Sequence, residues 1–322
     1  MLTSEFNGTR LIEMIMKETK RGLSEEFMKA LKEGGVLNPL LKKVKRDNAL
    51  CLQIRNNYIN VYYKGGSMMR VEALVEKGGY SIFSDKSYLK GVELPKKIDA
   101  HGRNDVLQWV NNMHLIKSNM DVKSKAEREF QQLVARENNF SVVSNETDYF
   151  ITDIEYLDSE NKEGRFDMIG IRWDSTGVSR KSGENCKLVI IEMKYGDGAV
   201  SGSSGVVKHL SDVDKFCGIE LNISSLKATS IKVFSQLREL GLVKFSSSGN
   251  KNEITSLSDE KPEYIYLFAN HKPANNGLSN ELKKLPEAKH VDLKFATSSF
   301  MGYGLYSDCM LERTSFTGLL RW

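Results

Sequence analysis

The stretch Leu188-Val-Ile-Ile-Glu-Met-Lys-Tyr-Gly196 sets a carboxylate and an ammonium, Glu192 and Lys194, two residues apart inside an apolar run. The run reads as a β-strand. Side chains alternate along a strand, so Glu192 and Lys194 share one face while Ile191, Met193 and Tyr195 take the other. Charges in so apolar a setting are costly unless they are paired or bind an ion. One segment earlier, Arg165-Phe-Asp-Met-Ile-Gly-Ile171 reads as a second strand with Asp167 near its start. If the two strands pair, Asp167, Glu192 and Lys194 converge at one edge of the sheet.

Two carboxylates supply the hard oxygen ligands that Mg2+ or Mn2+ prefers, which makes Asp167 and Glu192 the expected metal ligands. The Met193 carbonyl is a further candidate ligand. Phosphodiester hydrolysis needs what such an ion provides, an activated water and neutralisation of charge on phosphoryl oxygens. Lys194 would orient or help deprotonate that water. Glu127, on the helix expected just upstream, is a fourth contributor, by direct ligation or through water. The plain alternative is an edge-strand salt bridge between Glu192 and Lys194, with Asp167 a solvated strand-end residue.

Outward from this point, a helix begins near Ser124, a possible cap, with Phe130, Leu133 and Val134 in its apolar stripe. Strands are expected over 150–157, 165–173, 188–195, 264–269 and 290–296, and helices over 206–216 and 230–240. Residues 196–205 hold four glycines and three serines, a loop directly beyond the charged pair. This order predicts an α/β fold with a mixed sheet over residues 121–322. Residues 1–120 form a separate α+β region. Helices are expected around 11–16 and 25–31, strands over 50–63 with a turn at Asn56-Asn57, and a tight turn at Lys64-Gly65-Gly66-Ser67 before a strand over 68–73. A polar linker over 86–97 and a short helix over 106–117 follow. This region would recognise substrate or form a homodimer surface.

The helix motif Ala126-Glu127-Arg-Glu-Phe130-Gln-Gln-Leu133, the Phe166-Asp167 element and Glu192-Met193-Lys194 together resemble the PD-(D/E)xK nuclease superfamily. Phe166 stands where the motif's nominal proline would be, which marks a divergent member. The resemblance spans roughly 121–216. It implies a restriction endonuclease-like core, a central mixed β-sheet flanked by helices. It also implies Mg2+- or Mn2+-dependent cleavage of nucleic acid, foremost as a DNA endonuclease. Asp167 and Glu192 would bind the ion, Lys194 would assist the water and Glu127, with Glu129 as the fallback, would support the metal shell. Lys208, on the helix after the Gly/Ser loop, is the expected substrate contact. For its neighbour His209 a solvent-facing position is an equal expectation, with Val207, Leu210, Val213 and Phe216 turned inward. A nuclease-like fold that binds nucleic acid or protein without cutting is the alternative.

Composition frames these readings. The 322 residues carry 46 Lys and Arg against 42 Asp and Glu, so a nucleic-acid surface must come from a local patch rather than net charge. Candidates are Lys42, Lys43, Lys45, Arg46, Lys96, Lys97, Lys123 and Lys125. Tyr58, Tyr62 and Tyr63 near Arg55 and Lys64 offer a possible stacking platform, weighed against simple hairpin packing. Asp153 and Glu155 share one strand face, which is expected to meet solvent, with an approach to the metal as the lesser alternative. Four widely spaced cysteines without CxxC speak against a disulfide framework and for a reducing, cytoplasmic setting. No apolar stretch approaches the roughly 18 residues of a membrane span. Walker, dinucleotide and HExxH motifs are absent from the sequence.

Overall fold

A computed structural model describes residues 19–322 except 75, 123–125, 159–162, 185, 197, 199, 203–204, 245–252, 270–275, 299–304, 306, 308–309 and 320–322. The helix expected around 11–16, the Ser124 cap, Lys123, Lys125, Cys309 and part of the Gly/Ser loop lie outside these residues. The chain is α/β, with two five-stranded sheets.

The first sheet is an antiparallel meander of β1 (Leu50–Ile54), β2 (Tyr58–Tyr63), β3 (Gly66–Ala73), β4 (Tyr80–Phe83) and β5 (Lys97–Ala100), in that order. Its turns follow from residues that tolerate positive φ: Asn57 at 53° joins β1 to β2, and Lys64 and Gly65 at 45° and 69° join β2 to β3. Helices α1 (Glu25–Leu31), α2 (Asn38–Arg46) and α3 (Arg103–Asp121) flank this sheet. The Ser24 hydroxyl accepts from Phe27 N at the start of α1. The Asp105 carboxylate accepts from His101 N and Gly102 N ahead of α3, satisfying amides that the helix leaves open. The α3 helix is longer than the 106–117 span expected, because this acidic cap lies upstream of the apolar stripe.

The second sheet has the order β10-β9-β8-β7-β6, built from β6 (Tyr149–Leu157), β7 (Arg165–Arg172), β8 (Lys187–Tyr195), β9 (Glu263–Ala269) and β10 (Asp292–Ser298). Strands β6, β7 and β8 run antiparallel, whereas β8, β9 and β10 run parallel. Parallel neighbours need crossovers. Helices α6 (Val206–Cys217) and α7 (Glu220–Glu239) lie in the first crossover, and α8 (Asn276–Lys283) lies in the second. Helix α4 (Ala126–Phe140) precedes the sheet, α5 (Gly177–Ser182) links β7 to β8, and α9 (Arg313–Leu319) closes the order. The central strands read as continuous apolar runs because both faces are covered. On one face Val189, Ile191, Met193, Ile265 and Leu267 cluster with Phe130, Val134 and Ala135 of α4. On the other, Leu188, Ile190, Tyr264, Tyr266 and Phe268 cluster with Leu210 and Val213 of α6 and with Phe234 of α7.

Helix α7 spans 20 residues, of which the expected 230–240 segment covers only the second half. Its first half is rich in Asn and Ser, which favour caps and turns, so tertiary burial of Ser225, Leu226 and Thr229 decides its helical state.

Helix α4 also ties the two sheets together. Gln132 accepts from Gly65 N at 2.9 Å and donates to Ala49 O at 2.8 Å. Arg136 donates to Leu50 O at 2.9 Å. Deeper in the molecule Arg55, in the connection between β1 and β2, pairs through Nη1 with Asp153 of β6, and its Nη2 donates to Ile154 O and Tyr62 Oη. Arg21 donates to the second oxygen of Asp153 at 3.0 Å.

This corrects the expected placement of Asp153 and Glu155. Asp153 is buried between two guanidinium groups, and Glu155 pairs with Arg128. A register shift between Ile151 and Asp153, and a φ of 54° at Glu155, break the simple alternation. The tyrosine platform is likewise taken up by the chain's own cations. Arg70 covers Tyr58, Arg55 covers Tyr62, and Lys64 and Lys117 cover Tyr63.

No described helix is long and apolar enough to cross a membrane. Cys51, Cys186 and Cys217 are free and buried.

Candidate active site

The antiparallel ladder between β7 and β8 ends at Met168 and Ile191. One step further, Asp167 and Glu192 face the opening where the backbones no longer pair. The Met193 amide points toward β7 past the last rung, and Asp167 Oδ2 accepts it at 2.8 Å. The N–H and C=O of one strand residue point to the same side, so the Met193 carbonyl faces this opening as well.

Glu192 and Lys194 lie on one face of β8, as the period of two requires, with Ile191 and Met193 in the opposite core. Both charged residues are buried, at 4% and 3% exposure. Lys194 Nζ donates to Glu192 Oε1 at 2.7 Å. The same oxygen lies 2.8 Å from His209 Nδ1, on α6. Glu192 Oε2 and Asp167 Oδ1 accept no hydrogen bond from the described residues. Among the described residues, each carboxylate therefore uses one oxygen as an acceptor and leaves the other without a donor.

The electrostatics follow from three carboxyl groups gathered around the Lys194 ammonium. Burial, reinforced by Glu192 and then Glu127, holds Asp167 well above the usual carboxylate range. Burial also raises Glu127; Lys194 acts against this and Glu192 adds to it. Burial opposes ionisation of Glu192, yet hydrogen bonds and charge from His209 and Lys194 outweigh it and keep that group low. Glu192 is thus the more readily ionised member, whereas burial and its two acidic neighbours oppose ionisation of Asp167.

Comparison with family models, curated proteins and solved structures finds no match to this chain.

The donor set itself is therefore what tests the fit of a metal. Among the described residues no three His, Cys, Asp or Glu side chains form a ready-made cage. Mg2+ seldom uses one; it takes one or two carboxylates and completes its shell with water and substrate phosphate. The open oxygens of Asp167 and Glu192, together with a surplus of carboxyl groups, fit such an ion.

Other expected site residues are placed as follows. Glu127 opens α4 and is near enough to influence Asp167, but no hydrogen bond joins it to that residue among the described contacts. Lys208 is an exposed residue whose ammonium pairs with Asp212 one turn along α6. The basic residues Lys42 and Lys43 engage Glu33 and Asp47, and Lys96 covers the Phe83 ring.

His209 is the residue whose placement departs most from expectation. The buried stripe of α6 is Val206, Leu210, Val213, Phe216 and Cys217, and Val207 packs partly buried beside it, so the expected inward positions do meet the core. His209 is three residues after Val206 and four before Val213, so it borders that stripe and turns toward β8. This spacing was the available sequence signal.

Proposed function

We propose that the chain is a divalent-metal-dependent nuclease of the PD-(D/E)xK type, cutting nucleic acid and foremost DNA. The observation carrying this reading is the pair of open oxygens, Asp167 Oδ1 and Glu192 Oε2, beside a buried lysine at the end of a splayed ladder. Asp167, Glu192 and the Met193 carbonyl would hold Mg2+ or Mn2+, with Glu127 supporting the shell. When bound, the ion supplies Lewis-acid stabilisation of phosphoryl charge and a more acidic water. Lys194 orients the attacking water and offsets charge that develops on the phosphoryl oxygens. Water oxygen bonds to phosphorus as the bridging P–O bond breaks; the water releases one proton to solvent and the departing oxygen takes one up from solvent, so the step adds one H2O across the P–O bond. Lys208 contacts a flanking phosphate after exchanging Asp212 for it.

The direct test is a panel of DNA and RNA substrates, with and without Mg2+, comparing wild type with Lys194→Ala. Metal-dependent cleavage lost in the folded variant supports the assignment. Full cleavage by Lys194→Ala removes it. Wild-type binding without hydrolysis assigns a non-catalytic nucleic-acid-binding module instead, the reading favoured by the closed Lys194–Glu192 contact.

A further inference from the structure

Glu192 Oε1 is held by two donors of different kinds, Lys194 Nζ at 2.7 Å and His209 Nδ1 at 2.8 Å. The lysine is flexible, and its role in the proposed chemistry requires it to turn toward water and phosphate. A carboxylate fixed by that lysine alone would lose its orientation when the lysine changes partner. The imidazole carries no such second task, and it is mounted on a fixed support.

That support is visible in the register. Tyr266 of β9 is the direct neighbour of Glu192 in the parallel β8–β9 ladder. Its hydroxyl donates to the Val206 carbonyl, in the first turn of α6. Buried Val206, Leu210 and Val213 seat the rest of the helix on the same face of the sheet. Three residues after Val206, His209 returns to Glu192. The path from Glu192 across the ladder to Tyr266, up to Val206 and back through His209 is closed, and each of its links is a strand pairing, a helical turn or a hydrogen bond.

We propose that His209 is a positioning residue for Glu192: its Nδ1–H holds Oε1 so that Oε2 stays turned toward the cation site, and Tyr266 sets its reach through Val206. The role rests on the metal-site reading above. It requires the imidazole tautomer with hydrogen on Nδ1, since ionised Glu192 only accepts.

The test measures Mn2+ binding to the full chain by calorimetry, without substrate, for wild type, His209→Ala, His209→Asn and Tyr266→Phe. Loss of an outer partner of a metal ligand typically weakens metal affinity by about 10- to 100-fold. His209→Ala is expected to fall in that range. His209→Asn, whose amide N–H can occupy the place of Nδ1–H, should recover most of the affinity, and Tyr266→Phe should show an intermediate loss. Thermal melting verifies that each variant is folded; if His209→Ala is not, the contrast between His209→Asn and Tyr266→Phe carries the test. Wild-type affinity in folded His209→Ala, or in Tyr266→Phe where that contrast is used, overturns the positioning role and leaves the nuclease reading intact. A wild type that binds no Mn2+ overturns the metal site itself and this role with it.

Discussion

Asp167 accepts the backbone N–H of Met193 at 2.8 Å, one residue beyond the last rung between β7 and β8. A side chain thus does what a strand backbone would otherwise do. It satisfies a donor that the splayed ladder leaves open, and it fixes Asp167 beside Glu192. The cost is a carboxyl group held near two others.

That cost predicts a stabilising substitution. An unfolded Asp ionises near pH 3.9, whereas folded Asp167 keeps its proton to well above this range. Between those values the folded state binds the extra proton, so stability falls as pH rises through the window. Asp167→Asn removes the penalty and keeps an oxygen for the Met193 amide. At pH 8 without divalent ions it should melt higher than wild type by about 2 °C, equivalent to roughly 1 kcal/mol. The difference should vanish near pH 4. Adding Mg2+ should raise the melting temperature of wild type and not of the variant. Melting curves across pH, with and without the ion, check all three points.

The contact between the two sheets predicts a second outcome. Arg55 is buried against Asp153, Ile154 O and Tyr62 Oη. Arg55→Ala strands part of the Asp153 charge and leaves the Ile154 carbonyl without this donor. Breaking a buried pair in this way typically costs about 3–5 kcal/mol. Arg21 still reaches Asp153, so the lower end is expected. Urea denaturation should show a lower midpoint for Arg55→Ala. An unchanged midpoint would show that the pair contributes nothing to holding the sheets.

A third prediction links a distant turn to the site. Gly65 has φ +69°, and a Cβ there would stand 2.4 Å from the Arg128 carbonyl carbon and from Glu129 N. Both atoms belong to the first turn of α4, next to Glu127. Gly65→Ala must push this turn away or strain the β2–β3 connection. A stability loss of about 1 kcal/mol or more is expected. Under the nuclease proposal, metal-dependent cleavage should fall as well. Denaturation midpoints and cleavage rates for the one variant measure both; full activity would mean that the position of Glu127 is not critical.

Particular residues show how far the sequence carries. The run 188–195 specifies a buried strand, and its period of two places Glu192 and Lys194 together and Ile191 and Met193 opposite. Arg165 to Ile171 specifies a second strand with Asp167 near its start. The turns at Asn57 and at Lys64-Gly65 follow from residues that accept positive φ. These are local properties of the chain, written in spacing and side-chain type. The left-handed conformation of Glu155, the burial of Asp153 between Arg21 and Arg55, and the first half of α7 are not local. Each depends on a surface supplied from far along the chain.

The same division runs through the site. Sequence by itself determined that a carboxylate and an ammonium share a strand face, because alternation is a backbone property. Tertiary structure alone decided that the β7–β8 ladder stops at Met168 and Ile191, that Asp167 takes the Met193 amide, and that His209 meets Glu192. Those outcomes follow from strand register and from the docking of α6 through Tyr266, which depend on packing between segments; the helical spacing of His209 beside the buried stripe is their one local trace.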